Sequence, residues 1–311
     1  MILCCGEALI DMIPGNTDDN QKSYIPKVGG AVYNTAIALG RMECKPFFLG
    51  SISKDVFGEM IQNDLKKSNV NTSLCTISDY NSTFAFATIK NGTTTYLFID
   101  ENSANRNIKL KNLEPIKEEI TSLYIGGILL TSEPCGQEIE DFISKESHNK
   151  AVFFDPNIRP ELIKNREKYM ARFKKILSQS DIIKISDEDF EWLYPNKSID
   201  EVSKEWLENN LSIVVLTKGS EGAFVKTNNF DVSSKGEKVD VLDTIGAGDI
   251  FNAAFLCSLQ NSNVLNKNIL TSIEPQTLKN ALKFANKVAG ISVQRVGANS
   301  PSLEEINSYT S

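Results

Sequence analysis

Four short runs in the second half of the chain, Leu123 to Gly127, Ala151 to Asp155, Asp181 to Ser186 and Ser212 to Thr217, are apolar and β-branched, with amphipathic stretches between them. Runs of this kind suit strands buried on both faces, and the stretches between them suit crossover helices. The alternation predicts an α/β fold with a parallel sheet, helices on both faces, and ligands at the carboxyl ends of the strands. Polar residues gather at those ends: Asp155-Pro156-Asn157-Ile158-Arg159, Ser186-Asp187-Glu188-Asp189, and Thr217-Lys218-Gly219-Ser220-Glu221-Gly222.

With 311 residues, 41% of them hydrophobic, the chain can bury a sizeable core, and one large domain with an appendage is expected over 1–311. A net charge of −7 without a long basic run argues against nucleic-acid or membrane-surface partners, so an anionic ligand must be held locally. The six scattered cysteines form no Cys-x-x-Cys pair and read as reduced thiols. Met1 to Gly6 is too short an apolar run for a signal peptide and no run spans a bilayer, so a cytoplasmic protein is expected. The single histidine, His148, sits in a polar run, which removes triads and His-ligated metal centres. Neither Gly-x4-Gly-Lys-Ser/Thr nor Gly-x-Gly-x-x-Gly after a strand occurs, so any nucleotide site is of another kind.

In the first half, Ile2 to Cys5 reads as a buried strand, Gly15 to Lys22 as a loop, and Phe47 to Ser51 as the next buried strand. Asp11 ends an apolar run, either as a turn former or as a carboxylate whose two oxygens hold adjacent sugar hydroxyls. Gly29 and Gly30 open a small, apolar segment suited to a packed helix, and Asp55 can cap another. Thr83 to Ile89 and Thr95 to Ile99 read as a hairpin around Lys90-Asn91-Gly92, and Leu278 to Ser292 as an amphipathic helix.

Asp243-Thr244-Ile245-Gly246-Ala247-Gly248-Asp249-Ile250-Phe251 carries the chemistry. Small residues between two carboxylates lead into an apolar helix, whose free N–H groups and dipole face negative charge. Asp249 then stands where it can take a proton beside an anion site, and the plain alternative is a Gly-rich turn with a capping acid. Arg159 likewise suits a phosphate or carboxylate, or a surface ion pair with Glu161, and the Thr217 to Gly222 loop suits phosphates or a hairpin turn.

The nine-residue stretch resembles the C-terminal signature of the ribokinase-like, PfkB carbohydrate kinases, Asp-Thr-x-Gly-Ala-Gly-Asp-x-Phe, and Gly29-Gly30 resembles the N-terminal one. The resemblance implies a three-layer α/β sandwich with a central mostly parallel sheet and a small β-sheet lid from parts of 12–28 and 83–110. It implies ATP and Mg²⁺, a K⁺ site, and a homodimer through the lid. By the match, Asp249 is the base and Gly246, Ala247 and Gly248 form the anion hole. Asp11, Gly29, Gly30, Asn34 and Arg159 would contact sugar, while Ser186, Thr217, Gly219, Gly222, Gly248 and Asn286 would contact nucleotide. Asp189 would serve the divalent metal, and Asp243 with Ser300 the monovalent one. Gly6 to Asp11 with Pro14, the Asp155 to Arg159 run and Ser186-Asp187-Glu188 look most like fructokinases, implying fructose as substrate and fructose 6-phosphate as product. The rivals are a 2-keto-3-deoxygluconate kinase, a nucleoside kinase, and a sugar-binding protein that has lost catalysis.

Overall fold

The computed structural model describes residues 1–90, 93–111, 113 and 115–309. In chain order the strands are β1 (Ile2–Cys5), β2 (Leu9–Asn16), β3 (Lys22–Gly29), β4 (Phe47–Leu49), β5 (Ser51–Ser53), β6 (Thr76–Ser78), β7 (Phe84–Lys90), β8 (Thr93–Ile99), β9 (Ser122–Gly126), β10 (Ala151–Asp155), β11 (Ile182–Ser186), β12 (Ile213–Thr217), β13 (Ala223–Lys226) and β14 (Asp231–Ser234). The helices are α1 (Ala31–Arg41), α2 (Val56–Lys67), α3 (Cys135–Glu146), α4 (Arg166–Leu177), α5 (Asp187–Leu193), α6 (Ile199–Asn209), α7 (Ala247–Asn261), α8 (Pro275–Ser292) and α9 (Leu303–Ser308).

All four predicted second-half strands form, and they lie in one eight-stranded sheet of order β14-β13-β12-β11-β10-β9-β1-β4. From β12 to β4 the pairing is parallel; β13 and β14 add an antiparallel edge. β10 shows why such strands are apolar throughout: Ala151 and Phe153 pack with α1, α7 and α8 on one face, Val152 and Phe154 with α3, α4 and α6 on the other. Truncating either phenylalanine to alanine would cost ~3–5 kcal/mol. The result is three layers with the strand carboxyl ends along one rim.

A second sheet, of order β3-β2-β7-β8, stands at that rim. Here the structure corrects the expected Gly15 to Lys22 loop. β2 runs through Pro14 to Asn16 and pairs antiparallel with all of β3, leaving only Thr17 to Gln21 as connection. Pro14 is tolerated because β7 pairs only with Ile10 to Met12, so beyond Met12 that edge of β2 is open. Phe47 to Ser51 is likewise two strands in different sheets, broken at Gly50, where a Cβ would come within 2.7 Å of the Phe48 ring and 2.8 Å of Gly6 O. The β7–β8 hairpin forms as expected, although Asn91 and Gly92 of its turn lie outside the described residues. Asp55 caps α2 by accepting from Phe57 and Gly58 amides. No described helix is long and apolar enough to cross a membrane, and all six cysteines are free thiols.

Candidate active site

Helix α7 starts at Gly246, held left-handed at φ 74°, and a Cβ there would lie 2.4 Å from Ala298 Cβ, so both backbone and space require glycine. The Ala247 amide turns back to Thr244 O at 3.2 Å, while the amides of Gly246 and Gly248 have no protein acceptor among the described residues. Unpartnered amides at the positive end of a four-turn helix form an anion site.

Asp249 follows, buried, with its two oxygens held separately. Asn34 Nδ2 donates to Oδ2 at 2.9 Å, and Asn157 Nδ2 to Oδ1 at 3.1 Å. Burial pushes the carboxyl up to about 7; the Asn34 bond, Arg159 and Lys184 pull it down, and Asp155 pushes with burial. Asn157 adopts φ 40°, a left-handed conformation tolerated by asparagine, which turns its amide toward Asp249.

The same cavity is lined from β2 by Leu9 and Asp11, from β8 by Tyr96 and Phe98, and from the strand ends by Ile128, Asn157 and Arg159. Asp11 accepts no hydrogen bond from the described protein, and burial raises its carboxyl to about 6 against the pull of Arg159. Gly29 is beside it of necessity, since a Cβ would fall 2.0 Å from Asp11 Oδ2. Gly30, at φ 112°, begins α1 and borders the cavity with Asn34. Arg159 Nη1 donates to Ile158 O at 3.0 Å, and its Nε and Nη2 donors have no described protein acceptor. The alternative for Arg159, a surface ion pair with Glu161, does not form among the described residues; the guanidinium lines the cavity instead.

The remaining predicted residues lie outside that cavity, along the neighbouring strand ends. Ser186 caps α5 by accepting from the Asp189 amide at 3.0 Å, and it is in register with Thr217 on β12. Asp189 Oδ1 accepts from the Ile158 amide at 3.2 Å, and burial raises its carboxyl to about 6. Thr217 leads into the turn that joins β12 to antiparallel β13, so the loop is a hairpin turn whichever ligand it meets. In that turn Gly222 (φ 99°) could carry no Cβ, which would lie 2.2 Å from Ser234 O, whereas Gly219 faces open space. Asn286 donates to Ser234 O at 2.9 Å and Lys235 O at 3.0 Å, tying α8 to the end of β14.

Asp243 and Ser300 flank the far side of the anion loop. Asp243 accepts from the Ile245 and Gly297 amides at 3.0 and 2.7 Å, which fastens the loop to the turn carrying Ala298. Ser300 Oγ is buried without a hydrogen-bond partner, an orphaned neutral oxygen of the kind a monovalent cation accepts. For a divalent ion the described residues form no cluster of three or more His, Cys, Asp or Glu. Asp189, with one oxygen uncommitted, fits a Mg²⁺ that keeps most of its shell as water and phosphate.

Two carboxylates to which the motifs assigned no role complete the site. Glu7 is buried between β1 and β2, its oxygens accepting from the Ala31 amide at 2.8 Å and the Ile128 amide at 3.2 Å, and burial lifts it to about 7. Asp155, fully buried, accepts from Asn252 at 2.6 Å and from Lys184 at 3.2 Å. An acid or lysine set inside an otherwise apolar run was the available signal for Glu7 and Lys184.

A sequence profile of the pfkB family carbohydrate kinases matches residues 1–306. The chain belongs to this family. Among its relatives, a fructokinase of Rhizobium leguminosarum bv. trifolii is 42% identical over 90% of this chain and 86% of that protein. Among solved structures, a fructokinase from Xylella fastidiosa with bound ATP superposes with TM-score 0.89 at 22% identity, covering 99% of this chain and 97% of that one. A fructokinase from Vibrio cholerae O395 with fructose, ADP and calcium gives 0.85 at 23%, covering 100% and 98%. These likenesses establish the ribokinase-like fold for this PfkB kinase: a large mostly parallel sheet between helices, with a smaller sheet at its rim.

Proposed function

We propose that this PfkB kinase transfers the γ-phosphoryl group of ATP to the 6-hydroxyl of D-fructose, giving fructose 6-phosphate. The observation that carries the reading is Asp249: a buried carboxylate poised near 7, oriented by two asparagines and standing beside unpartnered helix amides. Such a group is matched to a general base at neutral pH. In the proposed step Asp249 takes the hydroxyl proton, the sugar oxygen forms a bond to phosphorus, and the bond from phosphorus to ADP breaks. The free amides of Gly246 and Gly248, with Arg159, meet the charge on the phosphoryl oxygens, whereas the Ala247 amide expected to join them is bonded to Thr244 O. Mg²⁺, held near Asp189 through water, would supply further charge neutralisation on the phosphates.

A neutral sugar is favoured because Asp11 offers two uncommitted acceptor oxygens and, with Glu7, would repel a substrate carboxylate. The 42% identical fructokinase points to the same substrate. The free donors of Arg159 favour one rival, 2-keto-3-deoxygluconate. ATP consumption against a panel of sugars, sugar acids and nucleosides decides between them; a kcat/KM for the keto acid tenfold above that for fructose would overturn the assignment.

In this reading residues 1–311 are one kinase domain, with parts of 12–28 and 83–110 as its lid. Leu9, Ala85, Tyr96 and Phe98 form the sheet face toward the strand ends. The other face presents Tyr24, stacked edge-on to Phe86 at 5.2 Å, with Leu97 and Ile99 exposed. An apolar face of that kind suits a second copy, making a homodimer through the lids. Sedimentation of the wild type as a monomer at micromolar concentration would exclude it.

A further inference from the structure

The α7 face of β11 carries a lysine where its neighbours are apolar. Lys184 is 4% exposed and bonded through one donor to Asp155 Oδ2 at 3.2 Å; its other two donors have no protein acceptor among the described residues. A Cβ built on Gly248 would fall 3.4 Å from Lys184 Nζ, so the ammonium sits beside Gly248, one of the two residues with unpartnered amides at the start of α7. That location is unfavourable for a cation alone, because the helix dipole presents positive charge there and burial removes water. Asp155 offsets one charge, yet it also accepts from Asn252 and the Asn157 amide, so its oxygens are already supplied with donors. Asp189 and Asp249 act on the ammonium as well and keep it protonated in spite of burial, so its two spare donors are left free for an anion at the amide cluster.

We propose that Lys184 is a catalytic residue that binds the transferring phosphoryl group from beside the anion hole. The inference rests on the kinase reading above and assigns a ligand to that site which neither motif contains. Lys184 stays protonated throughout: two of its N–H groups contact phosphoryl oxygens while the proton of the sugar hydroxyl goes to Asp249. Asp155, itself held by the Asn252 amide, keeps the ammonium in place between turnovers. A purely structural lysine would only neutralise Asp155, and this gives the test its edge.

Wild-type turnover of ATP with fructose is measured first; absence of turnover with any sugar would remove the kinase reading and this inference with it. Lys184→Met should then lower kcat about 100-fold or more, in the range seen when a charge-stabilising donor is deleted, with fructose KM within about threefold. Because Lys184→Met strands a buried carboxylate, the double variant Asp155→Asn/Lys184→Met is the deciding protein, with folding checked by circular dichroism and thermal melting. The proposal requires the double variant to remain about 30-fold or more slower than Asp155→Asn alone, and to lose most of the wild type's preference for ATP over ADP by calorimetry. Recovery of kcat to within threefold of Asp155→Asn, or an unchanged ATP-to-ADP affinity ratio, would overturn it.

Discussion

Asn34 donates to Asp249 across 2.9 Å, joining two signatures that lie 215 residues apart in the chain. The bond places the first helix and the seventh in one unit, since Thr35 also donates to Asp249 O at 3.2 Å. Its energetic effect is on the base: hydrogen bonding to the ionised form lowers the pKa that burial raises.

Replacing the base tests the central role. Asp249→Asn should cut kcat by ~10²–10⁴ while calorimetry still detects fructose and ATP binding, because a base acts on the transition state more than on the ground state. Near-normal turnover would eliminate Asp249.

The pH profile follows from the same carboxylate. The ionised form is the active one, so kcat/KM should rise through an apparent pKa near 7, the value to which burial lifts Asp249. Asn34→Ala removes the bond that favours ionisation and should move this limb to higher pH. A limb that stays in place would show that another group titrates.

Sugar affinity should depend on Asp11 through its free oxygens. Losing a buried pair of hydroxyl contacts to a carboxylate is worth ~2–4 kcal/mol, so Asp11→Ala should raise fructose KM by ~30–1000-fold. Gly29→Ala should act in the same direction by pushing a Cβ into Asp11 Oδ2. Steady-state kinetics with unchanged KM in both variants would contradict the contact.

Much of this arrangement was legible in the sequence, and the exceptions have physical reasons. The Asp243 to Phe251 stretch and the four apolar runs are local patterns, and they led to helix α7 and to β9 through β12. β13 and β14 escaped because four-residue edge strands are stabilised by pairing, which no local pattern records. Lys184 was hidden in an apolar strand: its burial makes sense only beside Asp155 on the adjacent strand, 29 residues away. Tyr96 and Phe98 read as hairpin residues, and only the fold over the rim makes them cavity wall.

Ligand-free stability should vary with pH in an unusual direction. Glu7 and Asp249 are raised to about 7, Asp11 and Asp189 to about 6, all by burial, so the folded state binds these protons more tightly than the unfolded chain. Their contribution is fully present below the unfolded values near 4 and is lost as pH rises through 6 to 7. Calorimetry should therefore find a higher Tm at pH 6 than at pH 8, with Glu305, held down at about 2, opposing only in stronger acid. A Tm that increases from pH 6 to pH 8 would refute the clustering of strained carboxylates.

Metal dependence is tested by removal. Rigorous chelation should abolish phosphorylation and Mg²⁺ restore it, and Asp189→Asn should raise the Mg²⁺ concentration needed for half-maximal rate. Full activity in a chelator would contradict the divalent role.

The packing of α1 against α7 has a consequence for how the protein is made. A ribosome releases α1 long before α7, so the part of its buried face that α7 covers stays open while some two hundred further residues are translated. The nascent chain thus carries an unsatisfied apolar helix face for most of its synthesis, a natural binding place for chaperones. Premature termination before Gly246 would yield not a weak enzyme but an aggregation-prone fragment, and the cell would meet it as a quality-control problem.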